Sequence, residues 1–418
     1  MQKLSIQGGV PLSGEIRVSG AKNAALPILA AALLAESPAR VSNLPRLKDV
    51  ETMLALLERM GVGVSRQDGA AELDARRIAE PFAPYELVKT MRASIYVLGP
   101  LLARYGEARV SLPGGCAWGP RPVDLHIKGM EALGAEIEID HGYIVARAPH
   151  GLRGGTISFD ISSVGATGNI LMAAATAAGR TTIENAACEP EIEALANFLV
   201  TMGAQIEGIG TPRLVVNGVP ELHPADAPMI PDRIEAGTLL VAAAITGGDV
   251  EVTGVDPAHL GAVINKLEAA GSSLETSDTA VRLRASGRPE PINVTTKPYP
   301  GFPTDMQAQF MALLSVARGA CTIEDTVYHD RFTHVAELQR LGADIRIGGN
   351  TAFVQGVESL SGAPVMATDL RASAALILAG LVAGGETRVT RVYHLDRGYE
   401  RLEAKLASLG AIVRRVRP

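Results

Sequence analysis

Hydrophobic and polar positions along the chain follow one pattern that recurs six times. In each copy a helix end of the form hydrophobic–Gly–small–x–hydrophobic leads into an alternating strand, as in ERMGVGV, EALGAEI and QRLGADI. A glycine at that point is the expected left-handed terminator of the helix. Successive copies lie 68 to 73 residues apart, and their glycines are Gly61, Gly134, Gly203, Gly271, Gly342 and Gly410.

A second marker has the same period. A helix of small residues is followed by a short strand with a β-branched centre, and the centres, 66 to 73 residues apart, are Val41, Val110, Ile183, Val252, Ile323 and Val389. Two independent markers with one period predict six repeats of about 70 residues, each with two helices and several short strands. A solenoid scaffold is the alternative explanation, but solenoid units are usually smaller and these are mixed α/β.

Composition narrows the class of protein. Lysine and arginine number 39 against 45 acidic residues, so the net charge of −6 gives no support to binding of nucleic acid or membrane surfaces. The longest apolar stretches, 24–35 and 372–385, are shorter than the roughly 20 residues of a spanning helix. Three widely spaced cysteines predict neither a disulfide framework nor a metal site and favour a cytoplasmic protein.

Charged side chains fall at repeat-equivalent positions. The positions 18 or 19 residues before each strand centre, where an apolar helix is predicted to begin, hold Lys22, Arg92, Gly165, Arg233, Asp305 and Arg371. Basic residues there oppose the helix dipole, so their number predicts a bound anion. Eight residues after the strand centre stand Arg331 and Arg397, and a longer loop supplies Arg121. Guanidinium groups suit phosphate or carboxylate, although solvated surface arginines are the alternative.

One loop departs from the repeat length. The second copy has 24 residues between its strand centre and its glycine, against 19 to 21 in the others. The excess coincides with LPGGCAWGPRP, residues 112–122, which contains Cys116 and the single tryptophan. Long glycine-rich insertions without core residues are typically functional loops or lids. Cys188 and Cys321 lie in or beside predicted strands, where we expect structural roles.

The motifs SGAKNA, GGCAWGPRPVDLHIKG, SSVGATGN, GFPTDMQAQ, DRFTHVAEL and DLRASAALILAG together resemble the UDP-N-acetylglucosamine 1-carboxyvinyltransferases over nearly the whole chain. The resemblance implies an α/β fold, the inverse (inside-out) α/β barrel, with two lobes that each hold three repeated βαβαββ-like units. One lobe is expected to be 22–229 with the Cys116 loop, and the other 1–21 plus 230–418. The resemblance also implies an active site in the cleft between the lobes, with no metal and no cofactor.

The family's site residues carry over by position. Catalytic roles are implied for Lys22, Cys116, Asp305 and Arg397; Lys22, Arg121 and Arg397 are expected to hold phosphoenolpyruvate, with Asn23 beside them. The uridine-sugar subsite is expected to comprise Arg92, Arg121, Pro122, Val123, Asp124, Leu125, His126, Ser162, Ser163, Val164, Gly165, Asp305 and Val327. Arg331, Asp369 and Arg371 are expected to support closure and charge balance. Ile161 departs from the family, because some members carry a lysine there.

The implied reaction joins UDP-N-acetylglucosamine to phosphoenolpyruvate through a tetrahedral ketal and releases phosphate. Asp305 is the expected base, although Thr304 and Asp305 also fit an ordinary helix cap. Cys116 is the expected acid and the expected point of alkylation by fosfomycin. The alternatives are 3-phosphoshikimate 1-carboxyvinyltransferase, which shares the repeat, and a non-catalytic binding protein. No nucleic-acid partner and no membrane insertion are expected.

Overall fold

The computed structural model describes residues 2–36, 38–112, 123–328 and 330–417. The chain divides into two compact units. The central unit is formed by residues 20–230, and the terminal unit joins the residues up to Ser19 to those from Pro231 onward. No helix in the described part of the chain has both the length and the apolar character needed to cross a membrane.

Strands and helices alternate in both units. The strands of the described residues are β1 (Lys3–Gln7), β2 (Ser13–Arg17), β3 (Ala39–Ser42), β4 (Gly63–Gln67), β5 (Ala70–Asp74), β6 (Phe82–Ala83), β7 (Glu107–Ser111), β8 (Glu136–Asp140), β9 (Tyr143–Arg147), β10 (Thr156–Ser158), β11 (Arg180–Glu184), β12 (Gln205–Glu207), β13 (Arg213–Asn217), β14 (Asp226–Pro228), β15 (Asp249–Thr253), β16 (Ser273–Thr276), β17 (Ala280–Arg284), β18 (Val294–Thr295), β19 (Ala320–Glu324), β20 (Asp344–Gly348), β21 (Thr351–Gln355), β22 (Pro364–Met366), β23 (Glu386–Thr390) and β24 (Ile412–Val416).

The helices of the same residues are α1 (Lys22–Ala31), α2 (Lys48–Met60), α3 (Tyr85–Val88), α4 (Leu98–Tyr105), α5 (Asp124–Ala132), α6 (Val164–Ala174), α7 (Pro190–Thr201), α8 (Arg233–Thr246), α9 (Gly261–Ala269), α10 (Gln307–Leu314), α11 (Val335–Arg340), α12 (Leu370–Gly380) and α13 (Leu402–Ser408). Short 3-10 segments are Ala32–Leu34, Arg92–Val97, Pro257–Leu260, Thr304–Met306 and Val392–Arg397.

The predicted repeat is confirmed by the sheets. Each unit contains three four-stranded sheets of one strand arrangement, in which a short strand runs parallel to a repeat-centre strand and two further strands follow in antiparallel pairing. All six predicted strand centres lie in the second strand of a sheet. The six marker glycines have φ between 89° and 107°, the left-handed backbone that their position requires. The sheet orders are β14-β3-β5-β4, β6-β7-β9-β8, β10-β11-β13-β12, β2-β15-β17-β16, β18-β19-β21-β20 and β22-β23-β1-β24.

Strands distant in sequence complete three of these sheets. In the central unit β14 runs parallel to β3, with Ala227 opposite Val41. In the terminal unit β1 pairs with both β23 and β24, and β2 pairs with β15. The first residues of the chain therefore belong with its last 188 residues, from Pro231 to Pro418, because they supply two strands that those residues lack.

Helices of small and apolar residues fill the centre of each unit. Nearly every residue of α1 and α6 is buried in the central unit, as it is for α8, α10 and α12 in the terminal unit. Such helices have no polar face, as expected for helices surrounded by other elements. Close approach depends on glycine in places: a Cβ atom at Gly129 of α5 would lie 2.0 Å from Cδ1 of Ile170 on α6.

Candidate active site

The repeat-equivalent charged positions stand at the starts of these buried helices, as the pattern predicts. Lys22 and Arg233 are the first residues of α1 and α8. Arg92 and Asp305 lie in the 3-10 segments that lead into α4 and α10. Arg371 is the second residue of α12. Charged side chains thus stand at the starts of these buried helices in both units.

In the terminal unit Asp305 is held by two arginines. Nη2 of Arg331 lies 2.8 Å from its Oδ1, and Nη2 of Arg371 lies 2.8 Å from its Oδ2. The Asp305 side chain is 27% exposed, whereas those of Arg331 and Arg371 are only 7% and 3% exposed. The carboxylate therefore stands in front of two guanidinium groups that are buried behind it.

The charges of this cluster fix its protonation. Burial by itself would raise the pKa of Asp305, but the adjacent charges of Arg371 and Arg331 and their hydrogen bonds hold it well below its usual value. Burial opposes the charged form of Arg371 as well, yet the Asp305 carboxylate raises the pKa of that guanidinium. Asp305 is thus an ionised carboxylate and, in this arrangement, a weak base.

Thr304 and Asp325 fasten Arg331 from the other side. Nη1 of Arg331 donates to Oγ1 of Thr304 at 2.8 Å, and that hydroxyl donates to Oδ2 of Asp325 at 2.7 Å. Asp325 also accepts the backbone N–H groups of Val327 and Tyr328, at 3.0 and 2.9 Å. The side chains of both Thr304 and Asp305 form hydrogen bonds within this network. The alternative that they form an ordinary helix cap is therefore wrong, and Pro303 precedes the helix without a side-chain cap.

Asp369 and Tyr399 position Arg371. Asp369 caps α12 by accepting the backbone N–H of Arg371 at 2.8 Å and that of Ala372 at 3.0 Å. The Arg371 guanidinium carbon lies 5.3 Å from the centre of the buried Tyr399 ring, whose hydroxyl is bonded to Thr238 at 2.9 Å. Neighbouring His334 is fully buried, and burial lowers its pKa to about 4.

In the central unit Lys22 forms an ion pair with Asp49. The Lys22 ammonium lies 2.7 Å from Oδ2 of Asp49, and both side chains are buried. This pair repeats the Asp305–Arg331 contact with the signs exchanged, because Asp49 follows its strand centre by eight residues, as Arg331 does. Two of the four basic helix starts, Lys22 and Arg371, therefore have a protein carboxylate as partner, so their position does not by itself require a bound anion.

Arginine occupies both of these positions in the second repeat, with Arg92 and Arg121, and in the sixth repeat. Arg371 stands at the helix start and Arg397 ends the 3-10 segment eight residues after the strand centre. Two like charges at the paired positions cannot compensate each other, and Arg371 instead contacts Asp305 of the fifth repeat. Arginine at both positions thus distinguishes these two repeats from the other four.

His126 lies against the start of α6. The ring is buried, and its Nδ1 lies 3.1 Å from Nδ2 of Asn169. Burial and, to a smaller extent, the charge of Arg92 lower the pKa of His126 to about 4. Ser163 caps α6 by accepting the N–H of Ala166, so Ser162 to Gly165 form the turn beside this ring.

The other predicted residues of the central unit surround these groups at varied exposure. Asn23 is half-buried in α1, and Val123 and Leu125 are half-buried at the start of α5. Asp124 is exposed and lies 3.9 Å from Lys128. Ile161 is among the most exposed large apolar side chains of the described residues. Cys116, Arg121 and Pro122 lie outside the described residues.

Cys188 and Cys321 offer little nucleophilic character. Cys321 is buried in β19, and burial raises its pKa to about 11. Cys188 is half-buried, and burial raises its pKa as well. Among the described residues no group of three or more His, Cys, Asp or Glu side chains could hold a metal ion.

The sequence matches the family EPSP synthase (3-phosphoshikimate 1-carboxyvinyltransferase) over residues 6–406. The chain belongs to this family of enolpyruvyl transferases. A relative from Xylella fastidiosa (strain 9a5c), a UDP-N-acetylglucosamine 1-carboxyvinyltransferase, is 57% identical over 424 residues and covers all of both chains. The resemblance drawn from the sequence motifs is therefore confirmed.

Solved structures of the enolpyruvyl transferase family share the fold. The enolpyruvyl transferase NikO from Streptomyces tendae has a TM-score of 0.90 at 27% identity, covering 100% of this chain and 99% of its own. An EPSP synthase from Acinetobacter baumannii has a TM-score of 0.76 at 18% identity and full coverage of both chains. The expected fold class is confirmed by these similarities, and the second one shows the fold alone.

Four residues of the site escape prediction from the motifs: Asp49, Asn169, Thr304 and Asp325. The repeat contains a signal for two of them. Asp49 occupies the position of Arg331, and Asp325 occupies that of Asn43 and Asn185, whose side chains bond backbone carbonyls of Met229 and Phe159. The contacts of Asn169 and Thr304 could not be predicted from the repeat, because they depend on how separate elements pack together.

Proposed function

We propose that the protein transfers the enolpyruvyl group of phosphoenolpyruvate to the 3-hydroxyl of UDP-N-acetylglucosamine and releases phosphate. This reaction is the first committed step of peptidoglycan precursor synthesis. One observation carries the proposal: the chain is 57% identical, over its full length, to a protein of that activity by name. Both substrates are soluble anions, and we place the reaction in the cytoplasm.

Fixed cations are proposed to hold phosphoenolpyruvate, which carries a carboxylate and a phosphate. Lys22 is buried beside Asp49 at the first turn of α1, where backbone amides also favour an anion. Arg397 lies at the position of the sixth repeat that Arg331 occupies in the fifth, and a guanidinium group suits a carboxylate or phosphate. Arg121, outside the described residues, is proposed as the third group on the basis of the family motif.

Asp305 is proposed to accept the proton of the sugar hydroxyl. A carboxylate has about four lone-pair sites, and the two arginines occupy two of them. Its exposed edge can therefore accept a hydroxyl while the guanidinium groups remain in place. Such a weak base hardly deprotonates a free alcohol. It suffices once the hydroxyl oxygen has bonded to C2, because the O–H group is then strongly acidic.

The two steps balance in this scheme. C3 of the enol gains a proton, the sugar oxygen bonds to C2, and the hydroxyl proton passes to Asp305, which gives the tetrahedral ketal. C3 then loses a proton, the C2–O bond to phosphate breaks, and the enolpyruvyl ether remains. Lys22 and Arg397 keep the carboxylate and phosphate neutralised as positive charge develops at C2. Cys116 is proposed to exchange the proton at C3, by resemblance to the family.

These roles fall on both units of the chain. Lys22, His126 and the Cys116 loop belong to the central unit, whereas Asp305, Arg331 and Arg397 belong to the terminal unit. Neither unit alone carries a complete set of proposed groups. We therefore expect turnover only from the whole chain.

The proposal is tested by measuring phosphate release from phosphoenolpyruvate with each of two acceptors in parallel. Release with UDP-N-acetylglucosamine and not with shikimate 3-phosphate is the expected result, and it should be lost in Asp305→Ala. Asp278→Ala is a matched control, because Asp278 is a carboxylate of the same unit that no proposed role includes. Release only with shikimate 3-phosphate would assign the protein to the alternative reaction, and release with neither would favour a binding protein.

A further inference from the structure

Asn169 is a fully buried polar residue in the middle of α6 to which the sequence motifs assign no role. Its side chain makes three contacts. Oδ1 accepts the backbone N–H of Gly99 at 2.7 Å, and Nδ2 donates to the backbone carbonyl of Ile95 at 2.8 Å. The same Nδ2 lies 3.1 Å from Nδ1 of His126.

These contacts fix the orientation of the amide. A backbone N–H can only donate and a backbone carbonyl can only accept, so the oxygen of Asn169 must face Gly99 and its nitrogen must face Ile95. The second hydrogen of the nitrogen then points at Nδ1 of His126. That ring nitrogen must act as an acceptor, and in a neutral imidazole the proton consequently resides on Nε2. Burial keeps the pKa of the ring at about 4, so the neutral form is the relevant one at pH 7.

The Nε2 edge of the ring covers Gly165. A Cβ atom at position 165 would lie 3.1 Å from Nε2 and 3.2 Å from Cε1 of His126. Gly165 is the helix-start position of the third repeat, where the other five repeats carry the charged residues Lys22, Arg92, Arg233, Asp305 and Arg371. The imidazole of the second repeat thus occupies the space that a charged side chain takes elsewhere, and glycine is the residue that admits it.

We propose that Asn169 is a positioning residue, which holds His126 as the Nε2–H tautomer and so presents a neutral donor at the first turn of α6. The donor suits an anionic oxygen of the nucleotide sugar, and this part of the inference rests on the proposed function. A neutral N–H and the backbone amides of the turn together replace the charge that this repeat lacks.

The tautomer is tested without reference to activity. Protein labelled with ¹⁵N in its histidine rings is studied by long-range ¹H–¹⁵N correlation at pH 7, with the His126 signals assigned from His126→Gln. We expect a protonated Nε2 and an unprotonated Nδ1 in the native chain. In Asn169→Asp the carboxylate can only accept, so Nδ1 should become protonated. A protonated Nδ1 in the native protein would overturn the inference, whatever the enzyme transfers.

Kinetics test the consequence for binding. Asn169→Leu removes the contact with His126, and Gly165→Ala displaces the ring while Asn169 is retained. Each should raise KM for UDP-N-acetylglucosamine about tenfold, as loss of one hydrogen bond to a charged group does, and change KM for phosphoenolpyruvate less than about twofold.

Thr167→Val is the matched control. Thr167 is equally buried on α6, and its hydroxyl accepts the N–H of Ala187 and is not a partner of His126. Its KM values should stay native. An equal rise of both KM values in Asn169→Leu and Thr167→Val would show a merely structural role and overturn the inference. If Asn169→Leu does not fold, the native tautomer and Gly165→Ala decide. A native protein inactive with the nucleotide sugar would refute the proposed function and leave the tautomer measurement standing.

Discussion

Replacement of Arg371 by methionine removes one of the two positive charges that contact Asp305. Nη2 of Arg371 lies 2.8 Å from Oδ2 of Asp305, and the variant retains Arg331 on Oδ1. A hydrogen bond to a charged group contributes about 1.5–3 kcal/mol, and 1.36 kcal/mol corresponds to about one pKa unit. The pKa of Asp305 should therefore rise by about one to two units in Arg371→Met. Arg371 is preferred to Arg331 for this test because Arg331, and not Arg371, is among the principal charges that shift the pKa of His334.

The assay is the pH dependence of kcat/KM on the acid side. Asp305 must be ionised to accept the hydroxyl proton in this mechanism. The acid limb of the pH profile should therefore move to higher pH in Arg371→Met by about one to two units, the shift that corresponds to the lost hydrogen bond. The control is Arg388→Met, which removes an exposed ion pair with Glu386 in the same unit. Exposed pairs contribute about 0–1 kcal/mol, so its acid limb should stay in place.

Stability provides a second readout with a defined sign. The pKa of Asp305 is depressed in the folded protein, so its ion pairs stabilise the fold above about pH 3.9, the value of an unfolded aspartate. That contribution is lost as the pH falls through the depressed folded value. In Arg371→Met the contribution is smaller, and its loss is complete at a higher pH because the folded pKa of Asp305 is less depressed. A folded, active variant with an unmoved acid limb would refute the assignment of Asp305 as base.

Three further predictions concern residues of the central unit. Lys22→Met removes the buried 2.7 Å ion pair with Asp49 and should destabilise the fold by about 3–5 kcal/mol. Lys22→Met/Asp49→Leu should recover most of that in urea unfolding without recovering activity, and equal losses in both would contradict the pairing. Gly218→Ala places a Cβ atom 1.7 Å from the backbone oxygen of Ala177, so urea unfolding should show a loss of about 1–3 kcal/mol, and native stability would count against this packing. Fosfomycin should inactivate the native protein covalently, detected as a mass increase, whereas equal modification of Cys116→Ser would remove Cys116 from the mechanism.

The repeat could be predicted because it depends on local chemistry. Gly61 and its five counterparts terminate helices with left-handed backbone, and a terminator of that kind is visible in a short window of sequence. The strand centres are equally local, since β-branched residues after a helix of small residues mark them. The starts of the buried helices, at Lys22 and Arg371 for example, follow from the same spacing.

Contacts between repeats could not be predicted in the same way. The pairing of β1 with β24 joins the two ends of the chain, and β14 returns to β3 across most of the central unit. The contact of Arg371 with Asp305 joins the fifth and sixth repeats. Each depends on how whole units close on themselves, and a single sequence carries no local trace of that closure.

Some contacts of the charged residues could be predicted from the repeat and others could not. A basic residue at a helix start does not by itself establish a bound anion, because Asp49 at the partner position forms an ion pair with Lys22. Comparison of the two positions within each repeat would have exposed that pair. The role of Asn169 was beyond such a comparison, since it depends on Gly99 and His126 from the preceding repeat.

Transfer of an enolpyruvyl group to the sugar 3-hydroxyl is tested by the structure of the organic product. The protein is incubated with phosphoenolpyruvate labelled with ¹³C at C2 and with UDP-N-acetylglucosamine, and the product is studied by carbon–proton correlation NMR. We expect a vinyl-ether carbon that correlates through oxygen with the proton on C3 of the amino sugar. The product that contains it should form in an amount equal to that of the phosphate released. Label recovered as free pyruvate, or attached at any other position of the nucleotide sugar, would contradict it.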